Sequence, residues 1–299
     1  MYEIFTKNLS TCFNAKSWWE LLDWAQSLHE QIIEDVDLKS IVQDTLSGYA
    51  KLWLKCYKIL NVIYTITVIC FIASTLVVDD GIMIKIPFVH NDRPYHRTIT
   101  LVTQIILDLT AAVISIHCHH CIVFIAFEIM AALDVLYYFI NSNRENIQKH
   151  PEFFKILIIR YCDVIFNINL YKNALSMVLF YQFIISSLLN LTVFSYLRLN
   201  PSSPMGYFIC LCTIFQIFIP CLFGEIIKLK SERLSNALYM TNWYDLDTKD
   251  QRAFLLVLGM AQRQYGLKAA GMYDVNIYRF IQIMKISITY CTLLITFTK

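Results

Sequence analysis

The chain has 299 residues, of which 57% are hydrophobic, 14% aromatic and only 16% charged, with a mean hydropathy of +0.50. A soluble domain carries about 25% charged residues, so this composition excludes a water-soluble particle, and a formal net charge of +2 carries no bias toward nucleic acid. The ten cysteines fall mostly inside apolar runs and read as small buried hydrophobes, not as a secreted disulfide framework.

The expected fold is all-α, a polytopic transmembrane helical bundle with five spans and a cytoplasmic N-terminus. Residues 1–57 form a cytoplasmic segment in which Trp18, Leu21, Leu22, Ala25, Leu28 and Ile32 recur at helical spacing, predicting an amphipathic helix over 18–36. Its other face holds Glu20, Asp23, Glu30, Glu34, Asp35 and Asp37, which an anionic leaflet repels. Docking on the protein's own helices is therefore expected.

Crossing about 30 Å of hydrocarbon takes about 20 apolar residues. By that measure 58–78 is the first span. An extracellular loop follows over 79–97, where Gly81, Pro87 and Pro94 leave open a lid or an ordinary connector. The second span, 98–127, contains Asp108, whose charge must face a wet interior or pair near the headgroups, for instance with Arg97. A cytoplasmic helical extension covers 128–172 and the third span 173–197. The breaker Asn200-Pro201-Ser202-Ser203-Pro204, within the turn 198–204, then makes a tight hairpin with the fourth span, 205–227. Residues 228–275 form a polar cytoplasmic interaction layer with a second helical stretch over about Thr248 to Gln264. The fifth span, 276–298, admits Arg279 and Lys285 near the interface, where long basic stems snorkel.

Orientation follows from the Lys and Arg excess on the cytoplasmic side. Residues 1–58 hold six, 128–172 hold five and 228–279 hold eight, against three, one and one in the opposite segments. That pattern places the N-terminus inside and the C-terminus outside.

Two constellations invite a chemical reading. His117-Cys118-His119-His120-Cys121 has metal-binding residue types, but ligands from one helix do not build a tetrahedral site and the sequence offers no second CxxC or HxxxH. Polar packing between helices is the better reading, and no metal is assigned. In the last span Lys285, Thr289, Thr292, Thr296 and Lys299 fall at i, i+4, i+7, i+11 and i+14, a single polar stripe among apolar faces. A conduction path lined by one helix per subunit needs such a stripe; a threonine-rich interhelical seam would also show it. No nucleophile elbow, Walker loop, paired-carboxylate motif or dinucleotide fingerprint occurs, so no catalytic residue or cofactor is expected.

The C-terminal third resembles the insect odorant receptor family. The resemblance rests on Gly224-Glu225, Ser231-Glu232, Ala237, Trp243-Tyr244, Ala261-Gln262-Arg263, Ala269-Ala270-Gly271, and Phe280 with Lys285, Ser287, Tyr290, Leu293 and Leu294, in that order. The last helix is also similar to the signature of the related gustatory receptors, Thr-Tyr, five apolar residues, then Gln-Phe. Here it runs from Thr289-Tyr290 to Thr296-Phe297, with Thr in place of Gln. That departure, with Trp243-Tyr244 and Gln262-Arg263, favours the odorant branch.

The resemblance implies an odour-tuning subunit of a ligand-gated cation channel, heteromeric and tetrameric with a shared co-receptor, binding a small volatile apolar ligand and embedded in membrane lipid. It implies a pocket in the outer half of the bundle. Helix direction there exposes Phe71, Ser74 and Thr75; Thr98, Leu101, Gln104, Ile105 and Asp108; and Tyr207, Phe208 and Leu211. Thr289, Thr292 and Thr296 are the expected pore lining, Leu293 and Phe297 the gate by resemblance, and Trp243, Tyr244, Gln262 and Arg263 the subunit interface. The family has seven spans and this chain supplies the equivalents of the third through seventh, so a partial gene product or a non-conducting relic is the competing expectation. A gustatory-type channel is another, while a G-protein-coupled receptor would need its N-terminus outside.

Overall fold

The computed structural model describes residues 14–30, 36–77, 96–142, 151–199, 201–202, 204–263 and 265–297. The helices are α1 (Ala15–Glu30), α2 (Val36–Val77), α3 (His96–Ser142), α4 (Pro151–Leu199), α5 (Pro204–Tyr239), α6 (Thr248–Ala261) and α7 (Ile277–Phe297). A 3-10 turn, Trp243–Asp245, precedes α6, and a short hairpin of β1 (Lys268–Ala269) and β2 (Tyr273–Asp274) precedes α7. Among the described residues α2 to α5 are long and apolar enough to cross a membrane.

Four expected spans are parts of longer helices. α3 has 47 residues and α4 has 49, and at 1.5 Å per residue each is about 70 Å long, well beyond the hydrocarbon thickness. The expected extension 128–172 therefore continues the two spans beside it, although 143–150 lie outside the described residues. Most of the expected loop 79–97 lies outside them too.

The main core is not where the sequence is most apolar. Its largest fully buried side chains include Ile125, Ile129, Leu133 and Ile140 of α3, Leu157, Tyr161, Ile168, Tyr171 and Leu175 of α4, and Phe254 of α6. These gather at the end of the bundle that carries α6. Toward the other end Val193, Leu197 and Cys210 form a small buried apolar cluster, and among the described residues none of the most apolar stretch of α2 is buried. Water drives burial at one end, whereas apolar side chains lose nothing by facing lipid tails at the other.

Helix α1 docks as its pattern predicts. Trp18, Leu21, Trp24 and Ala25 are buried, and the Trp18 ring meets Tyr171 edge-on at 6.2 Å. Trp24 Nε1 donates to Asp163 Oδ2 at 2.8 Å, and His29 Nε2 lies 3.1 Å from Glu128 Oε2. Of the expected helix over 18–36, residues 18–30 belong to α1, Ala15–Glu30, and 31–35 lie outside the described residues.

Pro220 sits inside α5. Proline has no N–H, so the carbonyl of Gln216, one turn earlier, loses its helical donor. Gln182 of α4 supplies one, its Nε2 donating to Gln216 O at 2.7 Å. Nearby, Thr213 Oγ1 donates to Asn190 Oδ1 at 2.7 Å in a wholly buried contact. Gln182→Leu, which strands the Gln216 carbonyl, is expected to destabilise the purified protein by about 1–3 kcal/mol, the desolvation cost of an unpaired acceptor. In a Pro220→Ala background, where α5 makes its own bond, that cost should largely vanish. An undiminished cost in this double-mutant cycle would refute the assignment.

Candidate functional site

The site is built from the foot of α7 upward. Ala270 and Gly271, at φ of 49° and 69°, form the tight turn of the β1–β2 hairpin, a geometry in which both central residues need positive φ. Met272 N–H closes the turn onto Ala269 O at 3.1 Å. The tip is pinned to α4, with Ala270 N–H donating to Ser176 O and Gly271 N–H to Ser176 Oγ, each at 3.0 Å. Gly224 of α5 faces the return strand so closely that a Cβ there would collide with the Val275 carbonyl. The Ala269-Ala270-Gly271 and Gly224-Glu225 elements thus fix the point from which α7 rises.

From that foot α7 packs on the α4–α5 hairpin. Phe280 meets Phe218 at 5.3 Å, and Ser287 is buried. At about 100° per residue, Ser287 lies about 200° around the helix from Lys285. The polar stripe accordingly points away from the chain's own bundle, and Lys285, Thr289 and Thr292 are all exposed. Thr289 Oγ1 donates to Lys285 O at 2.8 Å and Thr292 Oγ1 to Thr289 O at 2.7 Å, which leaves each hydroxyl oxygen free to accept from outside. Leu293 is exposed beside the stripe. Thr296 and Phe297 lie on α7, with side chains outside the described residues.

The expected pocket residues differ in burial. Gln104 is buried with Thr100 on α3, and Ile105 is half-buried. Tyr207 and Leu211 of α5 are exposed on the single chain. Phe71, Ser74 and Thr75 on α2, and Asp108 on α3, have side chains outside the described residues.

Among the expected interface residues Tyr244, Gln262 and Arg263 are exposed. Trp243 is half-buried and stacks on Phe254 at 6.1 Å and 7°, so it anchors the turn to α6. The outward face of α6 adds Leu255, Leu256 and Met260, with Leu256 at 72% exposure.

Two polar features join the helices, and the first carries no short-range sequence signal. Lys230 of α5 meets Asp134 of α3 with Nζ at 2.7 and 2.6 Å from the two carboxylate oxygens, and Tyr49 of α2 donates to the same carboxylate at 2.7 Å. Burial and that carboxylate hold the Tyr49 hydroxyl well above its ordinary pKa, so it remains a donor. The second feature is the histidine cluster, which acts as interhelical packing: His120 Nε2 lies 3.1 Å from Asn61 Oδ1, and its ring is 4.4 Å from that of Tyr57. Among the described residues no group of three or more His, Cys, Asp or Glu converges as metal ligands would.

The solved structures that this fold matches include an insect olfactory receptor, OR5 from Machilis hrabei. The form in complex with eugenol has a TM-score of 0.77 and 14% identity over 99% of this chain and 78% of that one; the form described without eugenol gives the same score and identity. Among curated proteins, odorant receptor 2a of Drosophila melanogaster is 30% identical over 27% of this chain and 20% of its own length. Odorant receptor Or1 of Anopheles gambiae is 26% identical over 30% of this chain and 22% of its own. The chain thus spans about a fifth of the length of the curated relatives it matches. The family model described as 7tm Odorant receptor matches residues 1–288, nearly the whole chain, and with the bundle and the hairpin-footed last helix this makes the protein a member of the insect odorant receptor family.

Proposed function

We propose that the chain is the odour-binding, tuning subunit of a heteromeric ligand-gated cation channel for smell, assembled with the family's co-receptor. It sits in the plasma membrane of sensory-neuron dendrites with its N-terminus in the cytoplasm. At the family level the activity is that of a channel, not an enzyme. The observation that carries the reading is the outward polar stripe of α7: three exposed polar residues on a face that the chain's own helices leave uncovered. One such stripe per subunit around a central axis makes a hydrated path, and the apolar flanks of α7 become the contacts between subunits.

The interface continues along Tyr244, Gln262, Arg263 and the exposed α6 face. The ligand is small and apolar, held in the outer half by aliphatic and aromatic walls with Gln104 as a polar anchor. Eugenol, bound by the structural relative, is of that chemical class. The odorant acts by binding the open state better than the closed one, which shifts the population. Co-expression with the co-receptor should give odorant-evoked cation current absent from either subunit's own response, and no such current across a broad panel of volatiles, with both subunits at the surface, refutes the reading. A tag at Met1 that antibodies reach without permeabilisation overturns the orientation.

A further inference from the structure

A polar recess lies where α5 leaves its apolar run and α7 begins, and nothing in the odorant-gated channel reading uses it. Gly224 and Lys228 of α5 form one wall, Gly266 to Lys268 the opposite one, and Asp274 to Asn276 the floor. It encloses about 90 Å³, room for more than a single water. One wall approaches through backbone, since a Cβ on Gly224 would strike the Val275 carbonyl, while a Cβ on Gly266 would stand in ordinary contact, 3.9 Å from Lys228 Cβ.

The charges inside are unbalanced. Lys228 and Lys268 reach in from different elements, against one carboxylate, Asp274, whose side chain is 65% exposed. Lys268 Nζ is 3.7 Å from Asp274 Oδ1 and Lys228 Nζ is 3.9 Å from Glu232 Oε1. Both separations exceed hydrogen-bond contact, so the two ammonium groups keep donors to offer. Glu232 does not line the recess. Asn276 Oδ1 caps the first turn of α7 by accepting from Arg279 N–H at 2.9 Å, and the positive end of a 21-residue helix adds to the field. A cation would find one carboxylate already answered by Lys268.

Lys228 lies one helical turn beyond Gly224, the last residue of the uncharged run 205–224, and Asn276 opens the expected fifth span, 276–298. The recess therefore stands at headgroup level, in the inner leaflet on the proposed orientation, which is the leaflet rich in anionic lipid. We infer that it binds a phosphate group, as carried by an anionic lipid headgroup, at the foot of α7. Two lysines grip the phosphate from α5 and from the hairpin, so occupancy ties the helix that bears the polar stripe to its neighbour.

The test is thermal unfolding of the full purified chain in detergent, titrated with dioctanoyl phosphatidate, with inorganic phosphate and with phosphate-free dioctanoylglycerol. Phosphatidate should raise the midpoint saturably and dioctanoylglycerol should not. Saturation by inorganic phosphate alone keeps the site and assigns it to a soluble phosphate. Lys228→Gln with Lys268→Gln should weaken half-saturation about thirtyfold, at about 1 kcal/mol for each lysine. The paired Arg variant should retain binding, and Lys249→Gln on α6, away from the recess, should leave it unchanged. If the double Gln variant does not purify, the single variants carry the comparison at about fivefold each. No saturable shift, an equal shift with dioctanoylglycerol, or an unchanged half-saturation in the Gln variants overturns the site.

Discussion

Thr292→Lys is expected to cut cation passage through the proposed heteromeric channel more than about a hundredfold while leaving the protein folded. Thr292 is exposed, midway along the polar stripe, with its hydroxyl turned to its own helix and no side-chain partner given up on substitution. A lysine ammonium there stands within a few ångströms of a passing cation. At about 5 Å and an effective dielectric of about 20 the repulsion is about 3 kcal/mol, which converts to a factor above about a hundred. Single-channel conductance and cation-to-anion permeability ratios, recorded from the heteromer with surface labelling of the subunit, read the effect. Thr292→Ser should conduct normally. Ratios unchanged by lysine would mean that the stripe is an interhelical seam and that the path lies elsewhere.

Asp134→Ala should destabilise the protein by about 3 kcal/mol or more. The Asp134 carboxylate holds Lys230 through both oxygens and accepts from Tyr49, and the two charged side chains are 14% and 19% exposed. Removing the acid leaves an ammonium half-enclosed against the Tyr49 ring, 5.6 Å from its centroid, with its counter-charge gone. The loss should be read as a lower unfolding midpoint and reduced surface expression. Because most of it comes from stranding a charge, pairing Asp134→Leu with Lys230→Met should recover much of the stability. A double variant as weak as Asp134→Ala would show that the pair itself, and not the stranded charge, holds α2, α3 and α5 together.

Local repetition explains what could be read without the fold. The docked face of α1 was legible because its apolar residues repeat every three or four positions: Trp18, Leu21 and Ala25 of that pattern are buried, together with Trp24, which the pattern did not include. The α7 stripe was legible for the same reason, since Lys285, Thr289 and Thr292 share one side of a helix; that this side faces away from the bundle, with Ser287 buried opposite, came from the fold. The run from Pro201 to Pro204 fixed the turn between α4 and α5. Pocket membership was harder, because it depends on which face each outer half turns inward. Gln104 is buried while Tyr207 and Leu211 are exposed on the single chain.

Composition and helical period by themselves determined that this is an α-helical membrane bundle, that the chain turns between α4 and α5, and which side of its last helix stays polar. Hydrocarbon thickness and 3.6 residues per turn act on neighbours in sequence. Tertiary structure alone decided that Lys230 meets Asp134 across 96 positions, that Gln182 repairs the carbonyl freed by Pro220, that the core sits at the α6 end, and that Lys228 and Lys268 share a recess. Each depends on the vertical register and rotation of one long helix against another. Those are set by the sum of many packing contacts and the pairing of buried polar groups, which no short window of sequence contains.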